Sequence, residues 1–373
     1  MASLELAEDR LAKLFGREYT RAELEHCAGR ISQFAGVREY RIEGGAADGV
    51  AAVDVYTGSG FQFTVLPGRG MDISHASYRG IPLAWISPAG EVAAHAYEPT
   101  GQGWARTFAG GLLTTCGMGH AQQPADEDGI HYGMHGRAST LVSENVAADC
   151  HWDGDQYRIQ VKGRTREAAF GHPQFELVRG ISTSLGASRL RIEDMVTNVG
   201  HRPETHMYLY HINVGHPVLG EGAELVATVE GFRVRTGQQA DAADDPFHFV
   251  PPAPDYEQQV FSHYSVADED GYAHAALINE SLDSGPLGVS FRFATAAFPY
   301  LNEWKLLASG DYVVGIEPNN CGILGRVAAR AAGELVVLEP GQSVRYDTEI
   351  GVLDGVPAIA EFRERVAGIL VDD

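Results

Sequence analysis

The stretch YHINVGHPVLGEG, residues 210–222, sets two histidines, His211 and His216, around an asparagine and a glycine. Such a run can be a catalytic histidine at a strand end, half of a metal site, or a strand that happens to carry histidine. Side chains alternate across a strand. The odd separations of His206, His211 and His216 therefore send neighbours to opposite faces unless a bulge or turn intervenes. His131 and His135 are four apart, but in Gly-rich sequence rather than on a helix, so the spacing loses its usual metal-site meaning. His135, His211 and Glu317 could still meet across strands as an N/O ligand set suited to Zn, Mn or Fe. His216 lies between Gly215 and Pro217, which favours an extended residue in a strand-ending turn.

Two arginines stand in Gly-rich sequence, Arg69 in PGRGMD and Arg137 in MHGRAS. Together they could clamp a carboxylate, sulfonate or phosphate with bidentate hydrogen bonds. The structural alternative is that they bond loop carbonyls and Asp72, with Asp72 positioning Arg69 or a turn. Cys116 lies near His120, so a Cys–His nucleophile can be imagined, against a small buried thiol. There is no G-x-x-x-x-G-K-[ST] phosphate loop and no G-x-S-x-G nucleophile elbow.

The elements that must position these groups read as strands. From residue 36 the pattern has period two in VREYRIE, GVAAVDVYTG, FQFTVLPG and MDISHASYRG, each closed by turn residues. After a Gly-, Pro- and Ala-rich interval at 87–140 the pattern resumes. QYRIQVKGRT, FELVRGISTSL and SRLRIEDMVTN read as antiparallel neighbours, followed by HMYLYHINVG. The polar segment 236–258 reads as a surface loop. Leu4, Leu6, Leu11, Leu14 and Phe15 form a rough apolar stripe, and Thr20 with Glu23 fits a capping box, so a helical preamble is expected over 3–29. The last 15 residues again favour helix. The expected organisation is a preamble over 1–35 and one domain over 36–373, all-β, a large antiparallel sandwich.

The composition of the 373 residues, 44% hydrophobic and 21% charged, supports a globular core. A net charge of −22 repels phosphate backbones and anionic lipid surfaces, so neither nucleic acid nor membrane is an expected partner. A local Arg cluster could still bind a small anion. Four scattered cysteines, no apolar leader and no 18-residue apolar run point to a cytoplasmic protein.

The motifs LPGRGMDIS, GGLLTTCG, GMHGRAS, VTNVG, YHINVGHPVL, EWK and GIEPNNC occur in that order. Together they resemble the aldose 1-epimerase (galactose mutarotase-like) superfamily, and more closely its DUF4432 branch. The resemblance implies a galactose mutarotase-like supersandwich with a short N-terminal helical segment and a sugar-binding cleft on one sheet. It implies His211 as general acid, Glu317 as general base and His135 as a helper at the ring oxygen. It provides no match for the superfamily's sugar-binding aspartate. Mutarotation needs a base for the anomeric hydroxyl and an acid for the ring oxygen, and ordinary Glu and His side chains can supply both near neutral pH. They are expected on opposite sides of one sugar. Trp304 could stack on a sugar ring and Lys305 could bond a hydroxyl, the alternatives being core packing and solvation. Arg69, Arg137 and Asp72 complete the expected substrate contacts.

No cofactor is expected for an isomerase of this type acting on a small monosaccharide or sugar acid. One alternative is a metal-assisted aldose–ketose isomerase or sugar epimerase using Zn or Mn. Another is a non-catalytic carbohydrate-binding protein. Exposed strand edges could pair two copies into a homodimer.

Overall fold

The computed structural model describes residues 11–235 and 245–371. The fold is a β-sandwich. An eight-stranded antiparallel sheet runs in the order Glu144–Asp153, Gln156–Ala168, Gln174–Ser184, Arg189–Asn198, Ser343–Asp354, Leu287–Ala294, Tyr272–Asn279, Ala223–Ala227. The three consecutive strands read as antiparallel neighbours are neighbours here. The facing sheet orders Val229–Val234, Gln259–Ser265, Tyr300–Leu307, Tyr312–Asn319, Glu204–Gly215 and Val336–Leu338, and Thr114–Met118 also pairs with Glu204–Gly215. A five-stranded sheet spans Gly36–Arg41 to Ile81–Pro82.

Alternation explains why the sheets close on each other. Tyr208, Tyr210, Ile212 and Val214 project from one face of the strand Glu204–Gly215. They share one core with Phe175, Ile192, Phe291 and Ile350 of the eight-stranded sheet. The core also holds one large polar device. The fully buried Arg179 guanidinium donates twice to Asp194, which accepts from the hydroxyls of Tyr208 and Tyr210 as well. A buried ion pair of this kind is weak evidence of added stability, although removing one partner strands the other's charge. It ties the two sheets together immediately beneath His211.

The N-terminal reading holds in part. Thr20 and Glu23 do form the reciprocal capping box, but the helix covers only Arg21–Cys27. Residues 12–19 are a hairpin, Ala12–Leu14 against Arg17–Tyr19, turning through Phe15 and Gly16 at positive φ. Leu14 and Ala12 are buried in the main core while Phe15 is 74% exposed. Of the apolar stripe, Leu14 is therefore a strand residue and Phe15 a turn residue. Residues 1–10 of that preamble, and 236–244 of the expected loop, lie outside the described residues. The remaining loop residues, 245–258, form no element beyond isolated bridges. The C-terminal helix, Gly355–Val371, packs Ile359, Phe362 and Val366 on the outer side of the eight-stranded sheet. Among the described residues no helix is long and apolar enough to cross a membrane.

Candidate active site

The site lies on the face of the seven-stranded sheet that points away from the core. The strand Glu204–Gly215 carries His211, and the strand Tyr312–Asn319 carries Glu317. Their register, Leu209 opposite Asn319 and Ile212 opposite Ile316, puts His211 across from Glu317. Both side chains rise on the outer face, because their neighbours Tyr210, Ile212 and Ile316 fill the core. His206, an odd step away, points inward and bonds the Met118 carbonyl and the Tyr346 hydroxyl. His206 and His211 thus lie on opposite faces of one strand, and His216 is exposed beyond the strand end.

His211 Nε2 lies 3.2 Å from Glu317 Oε1. The two groups were expected on opposite sides of a substrate. They are instead in direct contact, because adjacent strands bring facing side chains within a few ångströms. Gly315 makes this possible. A Cβ there would lie 3.0 Å from His211 Cε1 and 3.1 Å from Glu317 Oε1.

Burial sets the protonation of the pair. His211 and Glu317 are only 4% and 6% exposed. Burial lowers the His211 pKa to about 4, with Asn213 opposing. Burial pushes Glu317 up to about 8, opposed by the Arg235 charge and reinforced by Glu303. Glu303 lies on the inner face of the sheet, where it accepts from His263 at 2.9 Å. At neutral pH the pair therefore rests as a carboxylic acid beside a neutral imidazole. His211 Nδ1 is buried without a hydrogen-bond partner.

The third expected histidine joins them from a loop. His135 adopts left-handed φ, its N–H donates to Gln122 O and its carbonyl accepts from Gly117 N. A side chain on the following Gly136 would strike His120 O at 2.1 Å, so only glycine lets this loop close. The His135 ring lies 5.8 Å from that of His211. Burial and then the His211 charge lower the His135 pKa well below its usual value, and His135 Nδ1 also lacks a partner.

Aromatic rings wall the site. Phe108 lies 5.1 Å and Trp304 5.3 Å from the His211 ring, Trp104 stacks on Phe108 at 4.4 Å, and Trp85 is 6.3 Å from Trp304. Three of the four tryptophans in the chain thus meet around one histidine. Trp304 is legible in the sequence, whereas Trp85, Trp104 and Phe108 are not. Trp104 and Phe108 sit in the aperiodic interval 87–140, where no pattern assigns a direction to any side chain.

The remaining expected contacts are elsewhere. The buried Arg69 guanidinium donates to the carbonyls of Ser139, Val92 and Thr107. Each of its three nitrogens donates to one of these carbonyls, so the side chain joins three loops. Asp72 accepts from Thr115 N–H at 2.9 Å and does not reach the site face. Arg137 is exposed over the Tyr97 ring and borders a separate hollow of about 280 Å³ with His120 and Glu167. Arg69 and Arg137 therefore form no clamp. Lys305, next to Trp304 on one strand, must face the other way. Its ammonium donates to the carbonyls of Asp245 and His248 and lies over Phe249. Cys116 is a buried thiol with its pKa raised by burial, not a nucleophile. Among the described residues no three His, Cys, Asp or Glu side chains group so as to hold a metal ion.

A family profile described as "Domain of unknown function (DUF4432)" matches residues 47–352. Among solved structures, the fold matches a "putative aldose 1-epimerase" from Klebsiella pneumoniae with a TM-score of 0.82. That match has 24% identity and covers 90% of this chain and 87% of the other. A galactose mutarotase-like protein from Clostridium acetobutylicum matches with a TM-score of 0.60 and 12% identity, over 86% and 99% of the two chains. Both likenesses are of fold. No curated protein matches the sequence.

Proposed function

Because this chain belongs to the DUF4432 family, on a fold shared with galactose mutarotase-like proteins, we propose that it is an isomerase of the aldose 1-epimerase type. It acts on a monosaccharide or sugar acid by acid–base ring opening at the anomeric carbon. The observation that carries this reading is the His211–Glu317 pair, a donor and an acceptor 3.2 Å apart beneath an aromatic wall.

The anomeric hydroxyl and the ring oxygen are bonded to the same carbon. A sugar can therefore dock edge-on against the pair rather than between its members. The resting pair enters as acid Glu317 and base His211, the reverse of the roles implied by the resemblance. His211 takes the anomeric proton as Glu317 gives its proton to the ring oxygen. The C1–O5 bond breaks, the carbonyl forms, and the pair becomes an imidazolium–carboxylate ion pair of zero net charge. Rotation about C1–C2 and the reverse transfers close the ring on the other face. Because the two charges form 3.2 Å apart, neither is isolated in a buried site, where an unpaired charge costs several kcal/mol. His135, half-buried and with a free ring nitrogen, is the third group able to hold a sugar oxygen. Trp304 and Phe108 offer apolar faces to the ring's C–H groups.

The test is anomer exchange followed by polarimetry and NMR saturation transfer on a panel of aldoses and sugar acids, with and without chelator. Acceleration that survives chelator is expected. No acceleration for any sugar would leave a binding protein, and ketose formation that requires Mn or Zn would establish a metal-assisted isomerase instead.

A further inference from the structure

Most buried or half-buried arginines of this protein are matched. Arg69 has three carbonyls, Arg179 has Asp194, Arg191 has Asp347 and Arg326 has Glu127. Arg233 and Arg235 differ. Both are half-buried at the edge of the site sheet, and among the described residues neither makes an ion pair or a side-chain hydrogen bond. Arg233 Nε is a buried donor with no acceptor. A guanidinium withdrawn from water without a directly bonded counter-charge is unfavourable unless a ligand supplies one.

Both face the site. They flank Val234, so they share a face of their strand. The register runs Arg233–Ser262–Asn302–Glu317 in one row, and Arg235 N–H bonds Val260 O, which is paired with Trp304 and then Gly315 in the next. Arg233 Nη2 lies 3.7 Å from where a Cβ on Gly322 would stand, and the Gly322 carbonyl accepts from Asn302 in the site row. The Arg235 charge acts on both Glu317 and His135. Two carboxyls lie in the neighbourhood. Burial favours the protonated form of Glu317, and Glu334 Oε2, 3.8 Å from the same Gly322 position, makes no hydrogen bond or ion pair with either arginine.

We propose that Arg233 and Arg235 are an anion subsite, and that the substrate is a monosaccharide bearing a carboxylate, sulfonate or phosphate remote from its anomeric carbon. The proposal rests on the reading of the His211–Glu317 pair as the site of ring opening. Three strand spacings, about 14 Å, separate the backbones of Glu317 and Arg233. A hexose with its anomeric carbon at the pair and an arginine reaching inward together bridge that distance. The guanidinium fork matches a planar or tetrahedral oxyanion. In a protein of net charge −22, an anionic substrate needs such a local pair of cations, because the long-range field repels it.

The experiment compares D-glucose, D-glucuronate and D-glucose 6-phosphate as substrates and as thermal-shift ligands, for the wild type, Arg233→Gln and Arg235→Gln. The wild type is expected to favour one anionic sugar by roughly tenfold to hundredfold in kcat/KM. Each variant should collapse that selectivity toward one, mainly through KM. The relative activity on glucuronate and the phosphate tells which oxyanion is bound. Equal wild-type activity on charged and neutral sugars overturns the subsite while the ring-opening reading stands. If no sugar exchanges anomers, that reading fails and the subsite is judged by binding. A rise in Tm with glucuronate or the phosphate that either Arg→Gln variant abolishes upholds it, and no rise overturns it.

Discussion

Gly315→Ala isolates the geometry of the catalytic pair from its chemistry, since it removes no functional group. The new methyl would stand 3.0 Å from His211 Cε1, 3.1 Å from Glu317 Oε1 and 3.3 Å from His211 Nδ1. Relaxed carbon contacts lie at about 3.5–4.0 Å. The imidazole must therefore move by about 0.5–1 Å, and the carboxyl with it. Misplacement on that scale costs about tenfold to hundredfold in rate, and overpacking costs about 1–3 kcal/mol of stability. Gly288→Ala is the matched control. Its Cβ would meet Ile278 Cγ1 at 3.1 Å and Leu277 O at 3.2 Å, in the eight-stranded sheet and away from the site. Urea unfolding should show comparable losses for both variants, while kcat/KM for anomer exchange should fall only in Gly315→Ala. Wild-type kcat/KM in Gly315→Ala would refute the claim that the 3.2 Å contact is the working geometry. So would equal activity losses in both variants.

Three further outcomes follow from the same contacts. Glu317 keeps a proton when folded up to about pH 8, whereas its ordinary pKa is 4.5. The folded state then binds more protons, so stability falls as pH rises through that window. His211, lowered to about 4, opposes this up to 6.5. The net decline should appear between pH 6.5 and 8, at about 2 kcal/mol in urea unfolding, and should flatten in Glu317→Gln. Asp194→Asn strands the buried Arg179 charge and should cost about 3–5 kcal/mol, seen as a lower urea midpoint at unchanged m-value. His135→Ala should lower kcat/KM by about tenfold or more without disturbing the His211–Glu317 pair, so the pH profile of the residual activity should keep its limbs. A shifted alkaline limb would show instead that His135 sets the protonation of the pair.

The parts of the site legible in the sequence are those carried by regular strands. His211, Glu317 and Trp304 lie on period-two segments, where one residue's direction fixes its neighbours'. The same rule, applied to Trp304 and Lys305, already denies that both can touch one substrate. Arg69 could not be read. Its partners are carbonyls from residues 92, 107 and 139, and no local pattern announces that three distant loops converge. Arg233 and Arg235 are not legible in sequence because an Arg-x-Arg strand end resembles any solvated edge, and burial without a bonded counter-charge is a property of the fold. The hairpin at 12–19 resembles helix in sequence because Leu14 and Phe15 fit a loose apolar stripe, which the turn through Phe15 and Gly16 breaks.

The central claim is that His211 and Glu317 act as one proton-exchanging unit at an anomeric carbon. Saturation-transfer NMR on the fastest-exchanging sugar tests it directly, with His211→Gln, Glu317→Gln and the double variant. Each single variant should lose about 10²–10⁴-fold in exchange rate, and the double variant should be no slower than the worse single, because removing either member removes the unit. A single variant that exchanges anomers at the wild-type rate, or losses that multiply in the double variant, would contradict the account.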